Sequence, residues 1–254
     1  MKISDGSGRS INVQELGENG PAVVLIHGWM MSSAVFDPLC DALAANARVF
    51  AVDLRGAGDS DRADRYELED YAADVAAVLD RVGRATLVGH SMGGAIAQLV
   101  AASQPQRVDK LILLNPVPAG GMPLPEDAMA LFSASAGDRE KQGVILDLAC
   151  VRLEAPAKDR LLEIASTVDA DAIRASLLAW TAGGFEDRLA QIRAETHVIT
   201  TSDPFLPPAF LQQAIVDHVE GASLHVLEGP GHYPMWEAAA ETAELLNGLL
   251  AATS

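Results

Sequence analysis

A short apolar run ends in a glycine-flanked serine, and a helix-forming run begins directly after it. The apolar run covers residues 85–88, the turn is Gly-His-Ser-Met-Gly at 89–93, and the helical run covers 95–102. This pattern predicts Ser91 at the apex of a sharp strand-to-helix turn. Only glycine fits on either side of the serine without steric strain. Backbone N–H groups at the start of that helix would face negative charge developing near the serine.

The chain before and after this turn alternates between two kinds of pattern. Apolar runs typical of strands covered on both faces occur at 23–26, 48–53, 85–88, 108–114, 197–201 and 223–227. Helical patterns lie between them, as at 70–82, and a final helix is predicted from about 234 to 250. Such alternation predicts a parallel sheet built from βαβ units, with an antiparallel hairpin at its edge near residues 11–16.

Residues 116–190 interrupt the alternation. They contain no convincing strand, and helical stretches are predicted at 126–135, 139–153, 157–166 and 170–180. A helical insertion on the carboxyl side of the strands is expected to cover the site around Ser91. We therefore predict a core of residues 1–115 and 191–254 with a helical cap at 116–190.

Over nearly its whole length, the chain resembles the α/β-hydrolase fold family. The resemblance rests on the serine turn and on the order of strands and helices around it. It implies a doubly wound, mostly parallel, eight-stranded α/β sheet with a cap insertion. It also implies that Ser91 is the nucleophile and that its partners follow in the chain order serine, acid, histidine.

His232 is the candidate base. It lies in a glycine-rich loop at 229–237, between the last predicted strand and the last helix, and this loop is similar to the family's catalytic histidine loop. His197 and His225 fall within predicted strands and His218 on a predicted helix, so structural roles are expected for them.

Asp203 is the candidate acid, because it directly follows the strand at 197–201 and has the expected place in the chain. Some family members carry the acid one strand earlier, but that position here is Asn115. The family's usual glycine before the acid is replaced by Ser202. Glu228 and Asp53 are the carboxylates to test next.

The oxyanion hole is predicted from two backbone N–H groups. Met92 follows the nucleophile, and Trp29 is the third residue of a His-Gly-Trp turn that resembles the family's H-G-x turn. His27 is expected to hold the His-Gly-Trp turn. His90 is expected to lie beneath the elbow, the strand-to-helix turn that carries Ser91. Asp53 begins a segment similar to the family's D-x-R-G-x-G-x-S pattern and is interpreted as scaffold.

Composition and motifs exclude several classes. Eighteen basic and 35 acidic residues give a net charge of −17, which disfavours nucleic acid and anionic membranes as partners. No dinucleotide fingerprint, metal-ligand spacing or membrane-spanning run is present in the sequence, so neither a cofactor nor a metal is expected. The polar N-terminus and the two separate cysteines favour a cytoplasmic protein, as a monomer or homodimer.

The leading hypothesis is a serine hydrolase that cleaves a small-to-medium carboxylic ester or lactone through an acyl-enzyme. C–C bond hydrolysis of a diketone-type substrate, thioester hydrolysis and cofactor-free perhydrolysis share the triad and stay open. A non-hydrolytic, ligand-sensing protein of the same fold is a further alternative. Large apolar side chains are expected to bind the acyl substrate, namely Trp29, Met30, Phe132, Trp180, Phe205 and Tyr233.

Overall fold

In residues 1–6 and 8–251, which the computed structural model describes, eight strands form one sheet in the order β1-β2-β4-β3-β5-β6-β7-β8. The pairs β1–β2 and β2–β4 are antiparallel and the others are parallel. The fold-class prediction is confirmed, including the antiparallel hairpin at the edge. The strands are β1 (Lys2–Ser4), β2 (Ser10–Leu16), β3 (Ala22–Ile26), β4 (Arg48–Val52), β5 (Ala85–His90), β6 (Val108–Leu114), β7 (Glu195–Thr201) and β8 (Ser223–Leu227).

Helices connect the strands and cover both faces of the sheet. They are α1 (Asp37–Ala44), α2 (Leu68–Val82), α3 (Met92–Ser103), α4 (Glu126–Ala134), α5 (Arg139–Ala149), α6 (Ala155–Ala165), α7 (Ala170–Ala182), α8 (Pro208–Ala214), α9 (Pro234–Glu237) and α10 (Ala239–Ala251). Helix α1 packs against α10, and α2 packs against α3. The chain moves in opposite directions across the sheet through α1 and through α2, so right-handed crossovers place the two pairs on opposite faces.

The central strands are largely apolar because both of their faces are covered. All five residues of β3 and all six of β5 are buried. This burial fixes the positions of the loops that leave the carboxyl ends of these strands.

Helices α4–α7 form an insertion between β6 and β7. Within residues 116–190, all of which the structure describes, no strand occurs. The insertion contacts the core where α7 packs on α2, and where the indole N–H of Trp29 donates to the carbonyl of Ile173 at 2.8 Å. None of the described helices is long and apolar enough to cross a membrane.

Two predicted helices differ from the structure, since one ends early and the other is interrupted. The helix predicted at 139–153 ends at Ala149, because the backbone becomes extended at Cys150 (φ −99°, ψ 152°). The final helix is interrupted at Ala238 (φ −153°, ψ 54°), and the Thr242 hydroxyl donates to the carbonyl of Ala238 at the break and to that of Pro234 before it. Hydrophobic periodicity continues across both breaks, so it does not locate them. The predicted core segment also includes residues 252–254, which lie outside the described residues.

Candidate active site

Ser91 lies at the apex of the turn between β5 and α3. Its backbone (φ 54°, ψ −121°) lies in a region that side-chain-bearing residues rarely adopt. A Cβ at Gly89 would collide with the Gly93 carbonyl, and one at Gly93 would collide with the Ile26 carbonyl. Such a conformation costs about 1–3 kcal/mol, so the close packing of the turn must enforce the position of the serine.

His232 and Asp203 form a hydrogen-bonded pair. His232 Nδ1 lies 2.6 Å from Asp203 Oδ2, and the Asp203 side chain is fully buried. Burial acts to raise the pKa of Asp203, but the His232 ring and the Phe205 N–H, which donates to Oδ1 at 2.8 Å, together hold that pKa below its ordinary value. Asp203 is therefore ionised at neutral pH and accepts a hydrogen bond from the Nδ1–H of His232, which leaves Nε2 of His232 as the nitrogen free to act as a base.

Ser91, Asp203 and His232 lie together at the carboxyl ends of the parallel strands, because they follow β5, β7 and β8 respectively. Ser91 and His232 line the same cavity. No hydrogen bond joins the Ser91 hydroxyl to His232, although both residues are described. Bonds of this kind are often long without substrate and shorten when it binds.

The turn after β3 lies directly against the elbow. A Cβ at Gly28 would lie 2.8 Å from the Ser91 Cβ, so glycine permits the close approach. The backbone N–H of Trp29, next in the chain, and that of Met92, the first residue of α3, have no hydrogen-bond acceptor among the described residues. Two unused N–H groups beside a serine are what stabilisation of an oxyanion requires.

Two buried histidines support these loops. His27 accepts the N–H of Leu54 at Nε2 (3.0 Å) and donates from Nδ1 to the carbonyl of Gly28 (2.8 Å). His90 donates from Nε2 to the carbonyl of His232 (2.8 Å). Burial lowers the pKa of both rings, that of His90 to about 3. Neither ring takes up a proton at neutral pH, which agrees with the structural roles expected for them.

A cavity lies over Ser91. All six predicted substrate-binding residues line it, together with side chains that sequence reasoning did not assign to substrate. The lining residues are Trp29, Met30, Ser91, Val117, Met122, Phe132, Ile145, Ala149, Trp180, Phe205, Leu206, His232 and Tyr233. None of these described residues is a lysine or arginine, so the cavity offers no cation to a substrate carboxylate.

Aromatic rings form one wall of the cavity. Trp29 stacks on Phe132 with ring centroids 5.2 Å apart, and Trp180 meets Trp29 edge-on at 6.1 Å. Trp29 comes from the core, whereas Phe132 and Trp180 come from α4 and α7 of the insertion. The contact surface offered to a substrate is therefore shared between the two regions and is almost entirely apolar.

Other polar groups singled out by the sequence lie away from the cavity. Asp53 accepts hydrogen bonds from the N–H of Ser33 (2.8 Å), from Asn12 (2.9 Å) and from the N–H of Asp59 (3.0 Å), which supports the scaffold interpretation. His197 and His225 lie on β7 and β8, with ring nitrogens 3.2 Å apart. Across the described residues, no cluster of three or more histidine, cysteine or acidic side chains has the arrangement of a metal site.

The comparison with known proteins shows the family. A model of the alpha/beta hydrolase family matches residues 23–245. The chain belongs to this family. A relative from Burkholderia vietnamiensis strain G4, named 2-hydroxy-6-oxononadienedioate/2-hydroxy-6-oxononatrienedioate hydrolase, is 31% identical over 259 residues and is aligned over 93% of this chain and 89% of its own.

Two solved structures extend the comparison. An esterase from Exiguobacterium antarcticum superposes with a TM-score of 0.91 at 23% identity, over 99% of both chains. An N-acyl homoserine lactone degrading enzyme superposes with a TM-score of 0.82 at 28% identity, over 98% of this chain and 99% of its own. These proteins carry out hydrolysis or lactone degradation, and the predicted class, a hydrolase of this fold, is confirmed.

Asn115 supports the histidine loop of this α/β hydrolase, a role that the sequence did not reveal. The Asn115 amide donates to Thr201 Oγ1 (3.0 Å) and to the carbonyls of Gly231 (3.2 Å) and His232 (3.3 Å). Its backbone is left-handed, with φ 40°. Asn115 thus holds the histidine loop from the end of β6, where a carboxylate would have been an alternative acid. Its position at the end of a predicted strand was the available signal.

Proposed function

We propose that this protein is a serine hydrolase for neutral carboxylic esters or lactones of small to medium size. The observation that carries the proposal is the Asp203–His232 pair at 2.6 Å, beside a strained serine at the floor of an apolar cavity. A serine hydroxyl needs such a base to become an effective nucleophile. Similarity to an esterase and to a lactone-degrading enzyme supports the same class.

In the proposed first half-reaction, Ser91 Oγ attacks the acyl carbon while Nε2 of His232 takes the hydroxyl proton. The Trp29 and Met92 N–H groups donate to the oxygen that becomes negative. The tetrahedral intermediate then expels the alcohol, which receives the proton from His232. In a lactone the same oxygen leaves but stays tethered to the acyl group.

In the second half-reaction, water attacks the acyl-enzyme with His232 again as the base. Collapse of the second tetrahedral intermediate releases the carboxylic acid, and the proton returns to Ser91. Asp203 keeps its negative charge throughout and stabilises the imidazolium of His232. The low pKa of Asp203 supports this role.

The cavity argues for an uncharged acyl group. Burying a carboxylate without a cation or several donors is costly, and the lining side chains offer no lysine or arginine. We therefore expect neutral acyl chains or aryl groups to be accepted in preference to dicarboxylates.

A second candidate is hydrolysis of a carbon–carbon bond in a 2-hydroxy-6-oxo dioate. The relative from Burkholderia vietnamiensis favours it, since its name describes such a substrate and the similarity covers nearly the whole chain. The absence of a cation among the described lining residues weighs against it.

The proposal is tested by measuring kcat/KM on a panel of neutral esters, lactones and a 2-hydroxy-6-oxo dioate. We expect turnover of neutral esters or lactones, a fall of about 10⁴-fold or more in Ser91→Ala, and little change in Ser103→Ala. Ser103 is a matched control at the far end of the same helix, where its hydroxyl bonds to the Leu99 carbonyl. Turnover of the dioate alone would establish the second candidate instead.

A further inference from the structure

The carboxylate of Glu237 accepts hydrogen bonds from two separate segments of the chain. Its Oε2 accepts the backbone N–H groups of Val151 (2.8 Å), Arg152 (2.8 Å) and Gly231 (2.9 Å). Its Oε1 accepts the N–H of Tyr233 (3.2 Å). One side chain thus joins the residues that follow α5 of the insertion to the residues on both sides of His232.

The two segments also touch directly. The N–H of His232 donates to the carbonyl of Ala149 at 2.9 Å. A Cβ at Gly231 would lie 2.6 Å from that same carbonyl and 2.7 Å from the nitrogen of Val151, so the backbones approach as closely as glycine allows. The loop that carries His232 therefore rests on the C-terminal end of α5.

A carboxylate suits this position better than its amide analogue. Helix α5 stops at Ala149, and the N–H groups of Val151 and Arg152 donate to Glu237. A carboxylate presents only acceptors, and its charge strengthens each bond. A glutamine would turn an NH₂ group toward at least one N–H donor and leave that donor without a partner.

The remaining supports of His232 come from the core. Asp203 holds the ring at Nδ1, and His90 and Asn115 donate to the main-chain carbonyl. These contacts set the orientation of the ring and the position of the carbonyl. The neighbouring N–H groups are held by Glu237 and by the end of α5, so the position of the loop depends on the insertion as well.

We propose that Glu237 is a positioning residue whose carboxylate fastens the His232 loop to the end of α5 and so holds Nε2 in reach of Ser91. The proposal rests on the proposed function, since it takes His232 to be the base. Glu237 does not line the cavity, so its substitution removes no group that contacts the substrate.

The test compares Glu237→Gln with Glu241→Gln, a matched control in which an exposed glutamate 3.7 Å from Arg152 loses its charge. We expect kcat to fall about 10- to 100-fold in Glu237→Gln, because misplacing a reacting group by 1 Å can cost about 10². KM is expected to stay within about twofold, and Glu241→Gln is expected to behave like the wild type.

The decisive readout is the same substitution in a His232→Ala background. Once the base is absent there is nothing to position, so Glu237→Gln should cause no further fall in kcat. If Glu237→Gln does not fold, the cycle is run with Glu237→Asp, which keeps the charge on a side chain one methylene shorter. A smaller fall in kcat is then expected, again only when His232 is present.

Several results would overturn the proposal. They are kcat values equal to those of Glu241→Gln, a rise in KM with unchanged kcat, or an undiminished effect of the Glu237 substitution in the His232→Ala background. A His232→Ala variant with normal kcat would instead contradict the proposed function itself, so the two failures are distinguishable.

Discussion

The α/β core and the helical insertion contribute different groups to the same cavity. Ser91, Asp203 and His232 all come from loops that leave core strands. The strands before Ser91 and Asp203, β5 and β7, are buried, whereas β8, before His232, is partly exposed. The insertion contributes apolar or small side chains, and the lining residues from it are Val117, Met122, Phe132, Ile145, Ala149 and Trp180. Rigid strands hold reacting groups precisely, whereas an apolar wall can change with little effect on them.

Large apolar side chains are exposed in both regions, and more of the described ones lie in the insertion. In the core, the central strand β3 has no exposed residue, but Val226 of β8 is 52% exposed. In the insertion, Leu148 of α5 is 51% exposed and Leu178 of α7 is 63% exposed. We propose that the insertion acts as a cap that selects the substrate while the core carries the chemistry. This division is incomplete at Glu237, whose hydrogen bonds join the end of α5 in the insertion to the His232 loop of the core.

The largest effect is expected from the core. His232→Ala should lower kcat by about 10⁴-fold or more, because it removes the proposed base, and Asp203→Asn should retain somewhat more activity because the acid only orients and stabilises that base. Steady-state kinetics on a neutral ester measures both, with the exposed His218→Ala as the control. Near-normal rates in Asp203→Asn would place the acid elsewhere, and Glu228 and Asp53 would be tested next.

An intermediate effect is expected from the insertion. Trp180→Ala or Phe132→Ala should change the ratio of kcat/KM between short and long acyl groups by about 10- to 200-fold, the range that one or two pocket contacts supply. Covalent labelling of Ser91 by a small probe should stay nearly unchanged. Loss of labelling in a folded variant with unaltered acyl preference would show that the insertion takes part in the chemistry.

The smallest expected effect is on the free energy of unfolding in acid, and it comes from His90, a buried residue of the core. Burial lowers the pKa of His90 to about 3, against about 6.5 in an unfolded chain. Between these values the unfolded state binds more protons, so the free energy of unfolding falls as pH falls through this window. Replacing His90 by glutamine, whose amide can replace the Nε2 donor, should reduce that slope by about 1 kcal/mol per pH unit.

Chemical denaturation at pH 7, 6, 5 and 4 measures the slope, with His218→Gln as a control for an exposed histidine. His27 is also buried with a lowered pKa, so part of the slope should persist in His90→Gln. An identical slope in His90→Gln and the wild type would mean that His90 does not contribute.

Local sequence signals were sufficient where a residue's role depends on its neighbours in the chain. The glycines around Ser91 predicted the elbow because the collision that Gly89 avoids lies within the motif, with the Gly93 carbonyl. The collision that Gly93 avoids, with the Ile26 carbonyl of β3, comes from a distant segment. Asp203 and His232, which the structure places 2.6 Å apart, were singled out because each lies in a loop after a strand, even though Ser202 replaces the usual glycine. The cavity residues were predicted in part: the six large side chains line the cavity as expected, whereas the smaller Val117, Ile145 and Ala149 were not predicted.

Contacts between distant segments were not predicted. The helix predicted at 139–153 ends early, and just beyond its end Glu237 accepts the N–H groups of Val151 and Arg152. These residues precede Glu237 by 86 and 85 positions in the chain. Hydrophobic periodicity carries no information about such a partner. Asn115 was considered only as a missing acid, whereas its amide holds the histidine loop. These residues act through their position in the folded chain rather than through a local pattern.

The central claim is that Ser91 reacts covalently with the substrate under the action of His232. Intact-protein and peptide mass spectrometry after reaction with a fluorophosphonate measures this directly. The account predicts a single adduct on Ser91, formed at similar rates in the wild type and in Trp180→Ala, much more slowly in His232→Ala, and not at all in Ser91→Ala. An adduct on any other residue, or equal labelling of Ser91→Ala, would contradict it.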